Sequence, residues 1–457
     1  MNPHWLQRNS IIPIIACVFL LTSCSMFGSS NQPTSKTFTP VPTANTHPTV
    51  KNATVENVVS DILNNMKQNG FNSDQSINGG LGGLYINWRY GTNPLQTNVN
   101  GSGQTDSGAT LRHDPLTEVR YIHNLWLYKS QHPNDSSVDS EIARYTPIMK
   151  QEFANSHNEE GWIYDLFADT YELSHDSFYL DTAKSLAQGY AKAFNPQVGS
   201  IFKVDSGSPQ GRYRVDLVLE SGCALVQAGT QFNNPQWVQD GMSTINFVYN
   251  HAYMSQYHTF PNQLSQVVLS GNVANPQETF YSGSTAKNGN VVGGQVRIGG
   301  IAQIAISLLD TYKVTHNQDL LNKATDLLDP FTLPANTLGM WDTQYGGYFS
   351  ALKFTGQSPM QPGSMNVTKK TKEAGRQADM LLAFHLANEL THGRYTNMEQ
   401  QMLNVALNNI YVPSIHGVPY IVTADWSCQH LKDGQINNMA TTEAMGAELE
   451  ALLGLNR

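Results

Sequence analysis

Apolar residues recur every three to four positions over long stretches of this chain, which is the spacing of one buried helical face. Asp114-Pro115 opens one such stretch, with Asp as N-cap and Pro at the first helical position. After it, Leu116, Val119, Ile122, Leu125 and Trp126 share a face. The same pattern predicts helices over 174–190, 215–228, 296–312, 319–328, 373–390 and 443–455. Runs that alternate apolar with polar are few, so little sheet is expected. Between the helices a short phrase returns, glycine followed by an aromatic. It stands at Gly83-Leu84-Tyr85, Gly161-Trp162-Ile163-Tyr164, Gly199-Ser200-Ile201-Phe202, Gly347-Tyr348-Phe349 and Gly417-Val418-Pro419-Tyr420. Glycine permits a sharp turn and the aromatic plugs it into the core. One supersecondary unit used about six times describes a ring of helical hairpins. The expected fold is therefore all-α, an (α/α)6-type toroid. Its inner helices line a funnel, and short β-turn and hairpin loops form the mouth. An open α-solenoid is the alternative, with shorter and more uniform connectors.

The first residues follow another logic. A short segment with Arg8 precedes an apolar run from Ile11 to Leu21, of signal-peptide length and too short to span a bilayer comfortably. It ends in Leu21-Thr22-Ser23-Cys24, which resembles a bacterial lipobox, and that resemblance implies lipidation at Cys24. An uncleaved anchor with an incidental cysteine is the other reading. Ser25 to Thr49 is rich in Ser, Thr, Pro and Asn and lacks the apolar surface to fold. The expected organisation is a signal peptide at 1–23, a disordered tether at 24–52 and the barrel at 53–457. That places the body outside the cytoplasm, tied to a bacterial membrane through its N-terminal lipid. Cys17 leaves with the signal peptide, and whether Cys223 and Cys428 pair stays open.

Composition narrows the partners. Of 457 residues, 27 are Lys or Arg and 36 are Asp or Glu, a net charge of -9, which argues against a nucleic-acid partner. Four cysteines exclude a disulfide scaffold and a Cys-rich zinc module. Many aromatics (17 Phe, 20 Tyr and 7 Trp) with few charges suit an exported protein that handles polar, ring-shaped ligands. The sequence has no His-Glu-x-x-His, Gly-x-Ser-x-Gly, phosphate-binding glycine loop or Cys-x-x-Cys. No cofactor is expected, and no visible cluster requires a metal.

Two stretches carry a family resemblance. The first runs Gly161-Trp162-Ile163-Tyr164-Asp165-Leu166-Phe167, then Tyr171-Glu172-Leu173-Ser174-His175-Asp176, and on through Tyr213-Arg214-Val215-Asp216 to Leu219-Glu220. It is similar to the unsaturated uronyl hydrolases of the six-hairpin glycosidase superfamily. There one Asp opens a helix and a second Asp opens the next inner helix, and Asp165 and Asp216 match those positions. The second runs Trp341-Asp342-Thr343-Gln344-Tyr345-Gly346-Gly347-Tyr348-Phe349, with Lys372 and Gly375-Arg376-Gln377 after it. It resembles the N-acylglucosamine 2-epimerases, an echo of which lies in Arg112-His113-Asp114 and Arg120.

Cleaving a sugar bond needs a proton donor and a base, usually a carboxyl pair flanking the bond. Asp165 and Asp216 are the candidates, expected at loop-to-helix junctions facing the mouth. An Asp at a helix start is also a common N-cap. Trp162, Tyr164 and Tyr213 would supply an apolar wall that keeps one carboxyl protonated. Trp88, Trp341 and Tyr345 are loop aromatics on which sugar rings could stack, or else plugs. Asp342 orders its turn or reaches the funnel. Arg120, Arg214 and Arg376, with Arg297, recur near the tops of inner helices, where they hold a uronate or tie loops together. His113 and His385 are candidate acid/base groups or hydrogen-bonded core residues. The function expected is an extracytoplasmic enzyme acting on oligo- or polysaccharide, either a glycoside hydrolase or an unsaturated-uronyl hydrolase. The alternatives are a sugar 2-epimerase using His385 and Arg376, and an inert sugar-binding lipoprotein. A hydrolase needs two carboxyls across one pocket, an epimerase two histidines, and a binder an aromatic cleft with neither.

Overall fold

The computed structural model describes residues 53–100, 113–154, 160–201, 212–270, 273–280, 294–333, 335–354, 365–432 and 434–456. Twelve α-helices appear among them. They are α1 (Val55–Asn69), α2 (Pro115–Gln131), α3 (Asp139–Glu152), α4 (Gly161–Ser174), α5 (Ser177–Ala193), α6 (Val215–Gln231), α7 (Pro235–Ala252), α8 (Ile298–Thr315), α9 (Gln318–Leu328), α10 (Ala374–Leu390), α11 (Thr396–Val405) and α12 (Thr442–Gly454).

The even-numbered helices pack in the order α2, α4, α6, α8, α10, α12 and back to α2, a closed ring. Each odd-numbered helix packs on an inner one, α1 on α12, α3 on α2, α5 on α4, α7 on α6, α9 on α8 and α11 on α10. This is an (α/α)6 toroid. Sequence sorts the two layers. An amphipathic helix suits the outside, whereas one that is apolar or small all round must be enclosed. Outer α9 buries one stripe, Leu320, Leu321, Ala324, Leu327 and Leu328. Inner α6 is buried from Val215 to Val226 on every face.

Short strands feed the inner helices. Arg212–Arg214 runs into α6, Gly294–Arg297 into α8, Thr371–Glu373 into α10 and Met439–Thr441 into α12. Each pairs antiparallel with a neighbour, for example Arg297 with Ala351 and Glu373 with Ile421. The pairing fixes the residue just before each helix, so the rim of the funnel is held by backbone hydrogen bonds.

Glycine sets the closest approaches. A Cβ on Gly161 would stand 2.2 Å from the Glu220 carbonyl carbon, and one on Gly241 would stand 2.5 Å from the Gly222 oxygen. The first contact locks α4 against α6 and the second locks α7 against α6.

Several expectations are refined. The helix expected over 174–190 begins at Ser177, because His175 adopts a left-handed conformation that ends α4 and Asp176 caps α5 through the Phe178 N–H. Helices α1, α3, α4, α7 and α11 were not anticipated. Asp165 lies inside α4 rather than at a loop-to-helix junction. Cys223 and Cys428 are both free thiols. No helix of the described residues is long and apolar enough to cross a membrane. The expected signal peptide, Cys24 and the tether lie outside the described residues.

Candidate active site

All six inner helices start at one end of the toroid, and each brings charge to that end. Asp114 precedes α2, Glu160 precedes α4, Arg214 precedes α6, Arg297 precedes α8 and Glu373 precedes α10, while Glu443 lies in the first turn of α12. Helix N-termini carry a partial positive charge that favours carboxylates there.

Asp216 is the best-defined group of this ring. It is the second residue of α6 and 4 % exposed. Arg214 clamps it in two parallel bonds, Nε to Oδ1 at 2.9 Å and Nη2 to Oδ2 at 2.6 Å. The Leu217 N–H donates to Oδ1 at 3.0 Å. Such a bidentate, charge-assisted clamp fixes the orientation of a carboxylate. The pairing pushes the Arg214 guanidinium upward, with Glu160 and Glu220 adding to it. On the far side stands Gly300 of α8, where an added Cβ would lie 3.3 Å from Asp216 Oδ2. A glycine there lets α8 pack close against the carboxylate.

Glu160 is its neighbour on α4. Its Oε2 accepts from Trp162 Nε1 at 2.7 Å. Gly161 touches the backbone of Glu220, which is one helical turn below Asp216, so Glu160 and Asp216 are offset by just under one turn, ~4.5 Å, along the funnel axis. On the adjoining inner helix α2, burial beside Glu443 and Glu160 pushes the Asp114 carboxyl up to about 6, against the pull of the Leu116 N–H. Further round, Arg376 bonds Asp379 through Nη1 at 2.9 Å and Glu443 through Nη2 at 2.5 Å. These carboxylates hold the Arg376 guanidinium well above its ordinary range even though burial acts the other way. Burial raises Glu373, and Arg376 and Arg297 partly offset this. Arg297 is exposed and interacts electrostatically with Glu373.

Asp165 is not part of this group. Four residues beyond Gly161, it is level with about Ala224, roughly 12 Å below Asp216 along the parallel helices. It bonds Gln227, and burial together with Asp310, Asp169 and Glu220 raises its carboxyl well above the ordinary range. Two carboxyls flanking one glycosidic bond stand about 5–9.5 Å apart. The structure therefore does not bring Asp165 and Asp216 together across one bond.

The other candidates divide in two. Trp162 lies at the funnel wall with the Arg120 guanidinium 4.7 Å above its ring. Arg120 is held by Glu450 at 2.8 Å and Asp379 at 3.7 Å. Elsewhere the side chains brace loops. Trp88 is fully buried and donates to Asn65 Oδ1 at 3.1 Å, so it plugs its strand. Trp341 is 7 % exposed and packs edge-on to Tyr348. Asp342 Oδ1 accepts the Gln344 N–H, while its Oδ2 pairs with buried Lys372 at 2.8 Å. Tyr345 is 45 % exposed, with Lys372 Nζ 5.9 Å from its ring centroid. His113 stands 3.0 Å from Glu152. His385 turns towards outer helix α11, with Nδ1 2.9 Å from Glu399. The Tyr213 backbone pairs with Leu264, and its side chain lies outside the described residues. Glu160, Glu373 and Glu443 were missed in the sequence. Their signal is position, each at or just before the start of an inner helix.

No family model matches the chain, and no curated protein matches it. Solved structures do match over most of its length. An unsaturated glucuronyl hydrolase specific for heparin aligns with a TM-score of 0.60 at 16 % identity, covering 88 % of this chain and 95 % of its own. The unsaturated glucuronyl hydrolase of Bacillus sp. GL1, responsible for degradation of glycosaminoglycan, aligns at 0.58 and 14 %, covering 88 % and 96 %. A D-mannose isomerase aligns at 0.53 and 13 %, covering 87 % and 96 %. The chain thus shares the (α/α)6 fold of these solved structures.

Proposed function

We propose that this protein is a carbohydrate-active enzyme that removes a uronyl residue from the end of an oligosaccharide, in the manner of an unsaturated-uronyl hydrolase. The observation that supports this most is the Asp216 carboxylate, fixed at the start of an inner helix by Arg214 and faced by Gly300. Asp216 is the base that takes a proton from water. Glu160, about a turn away on the next inner helix, is the proton donor. In a vinyl ether the donor delivers its proton to one carbon of the double bond. Water adds to the other, beside the ring oxygen, and gives its own proton to Asp216. The hydrated ring then opens and releases the rest of the chain. Glu160 recovers a proton from solvent as Asp216 loses one.

Arg297 is the group for the uronate carboxylate, since it is exposed near the rim one turn above Gly300. Tyr345 offers an exposed ring for the next sugar. An epimerase needs two histidines facing one pocket, and the bond from His385 to Glu399 turns that ring away from the funnel.

Unsaturated disaccharides from lyase-digested glycosaminoglycans provide the test, because hydration bleaches their ultraviolet absorbance. Wild type is expected to bleach them, Glu160→Gln to lose more than 100-fold in kcat/KM, and Arg297→Ala to raise KM with little change in kcat. Equal rates on neutral and uronic substrates would refute the acidic-sugar assignment. We also propose that the chain is exported and lipidated at Cys24. Labelled palmitate should enter the wild type and not Cys24→Ala, and equal labelling would refute this.

A further inference from the structure

We propose that His113, Glu118 and Glu152 form a binding site for one Zn2+ ion beside the funnel mouth, between the start of α2, the end of α3 and the loop through Gly82 and Gly83. One donor atom from each of the three lies within 4.8 Å of the other two, and His113 Nε2 is 3.0 Å from Glu152 Oε1. Around a tetrahedral zinc with bonds of about 2.1 Å, donors stand ~3.4 Å apart. Side-chain shifts on the order of 1 Å bring these three to that geometry.

A second observation points to a cation. Glu118 is 0 % exposed and the Glu152 side chain 4 %. Each keeps one buried oxygen, Oε2, with no donor from the surrounding protein, and the two carboxyl groups face each other. Their Oε1 atoms are occupied, that of Glu118 by the Leu84 N–H and that of Glu152 by Asn78 Nδ2 at 2.7 Å. Two enclosed carboxylates side by side repel each other, and burial penalises each further. A divalent ion bound between the imidazole and the two carboxyl groups would satisfy both Oε2 atoms at once. A single shared proton would tie the two carboxyl groups to each other instead.

The donor set selects the ion. Calcium takes six to eight oxygens, and magnesium keeps its waters. One nitrogen and two oxygens with a fourth position for water suit zinc. The surroundings are braced as metal sites are. Asn78 Nδ2 ties Glu152 to the Gly82 carbonyl, the latter bond being 2.8 Å. A Cβ on Gly83 would come 2.5 Å from Glu118 Oε1 and 3.3 Å from the His113 Cβ, so the loop fits closely over the cluster. The ion would strap this loop and the end of α3 to the start of α2.

The full chain, dialysed against EDTA and then chelator-free buffer, is titrated with ZnCl2 by calorimetry, with CaCl2 in parallel. The expected result is one equivalent of Zn2+, no Ca2+, and at least tenfold weaker zinc binding in both His113→Ala and Glu152→Gln. Co2+ should give a tetrahedral visible spectrum in wild type that both variants lose. Failure of the wild type to bind Zn2+, or zinc binding unchanged in both variants, would overturn the proposal. So would a Glu118→Gln chain that melts higher than a wild type insensitive to zinc, since a shared proton would then hold the pair. The wild-type titration decides the matter even where a variant does not fold.

Discussion

Glu448 sits in the middle of inner helix α12 with no exposed surface, and neither carboxyl oxygen has a hydrogen-bond partner. Burial alone pushes its carboxyl from 4.5 up to about 8. The folded chain therefore keeps a proton that the unfolded chain gives up above pH 4.5. Below that pH the two states bind the proton alike, and Glu448 costs nothing. Between pH 4.5 and 8 stability falls by about 1.4 kcal/mol per pH unit, and above pH 8 the loss levels off as the folded group also ionises. From pH 5 to pH 7 the loss from this one residue is about 2.5 kcal/mol. Glu448→Met keeps the length of the side chain and removes the ionisation. Urea unfolding of both proteins at pH 5 and pH 7, in the same salt, isolates the effect because all other groups cancel. The variant should gain about 2.5 kcal/mol on wild type between the two pH values. A stability difference constant to within ~0.5 kcal/mol would show that Glu448 is solvated or paired, and would refute the reasoning.

Gly161→Ala should destabilise by about 1–3 kcal/mol, because its Cβ meets the α6 backbone at 2.2–2.3 Å rather than a movable side chain; a melting curve matching wild type would contradict the close α4–α6 contact. Lys372→Met should cost roughly 3–5 kcal/mol in chemical denaturation, since it strands the buried Asp342 carboxylate and frees the Gly346 and Ala424 carbonyls that Lys372 ties. Adding Asp342→Asn to it should recover part of that loss, and a purely additive double variant would argue against the pair.

The toroid was legible because inner and outer helices differ in composition. The apolar spacing located α2, α6, α8, α10 and α12, five of the six inner helices, to within a few residues. Inner helix α4 was hidden because Gly161 and Trp162 read as a turn rather than a helix start. Outer helices α3 and α11 carry many polar residues and a weaker stripe. Asp216 was legible from its place in a resembling segment. Asp165 was misplaced because sequence order does not record how far α4 starts below α6. That offset is set by the contact of Gly161 with the Glu220 backbone. The ring of Glu160, Glu373 and Glu443 could not be assembled from one dimension, because its members converge only when the toroid closes. The same holds for His113, Glu118 and Glu152, which three separate elements bring together.

The central claim is that chemistry belongs to the rim carboxylate at Asp216 and not to the deeper one at Asp165. Steady-state kcat/KM on an unsaturated glucuronyl disaccharide, for wild type, Asp216→Asn and Asp165→Asn, tests it most directly. Losing the base should cost Asp216→Asn about a thousandfold or more, while Asp165→Asn stays within about tenfold of wild type. A folded Asp216→Asn that turns over normally, or an Asp165→Asn that is equally dead, would contradict it.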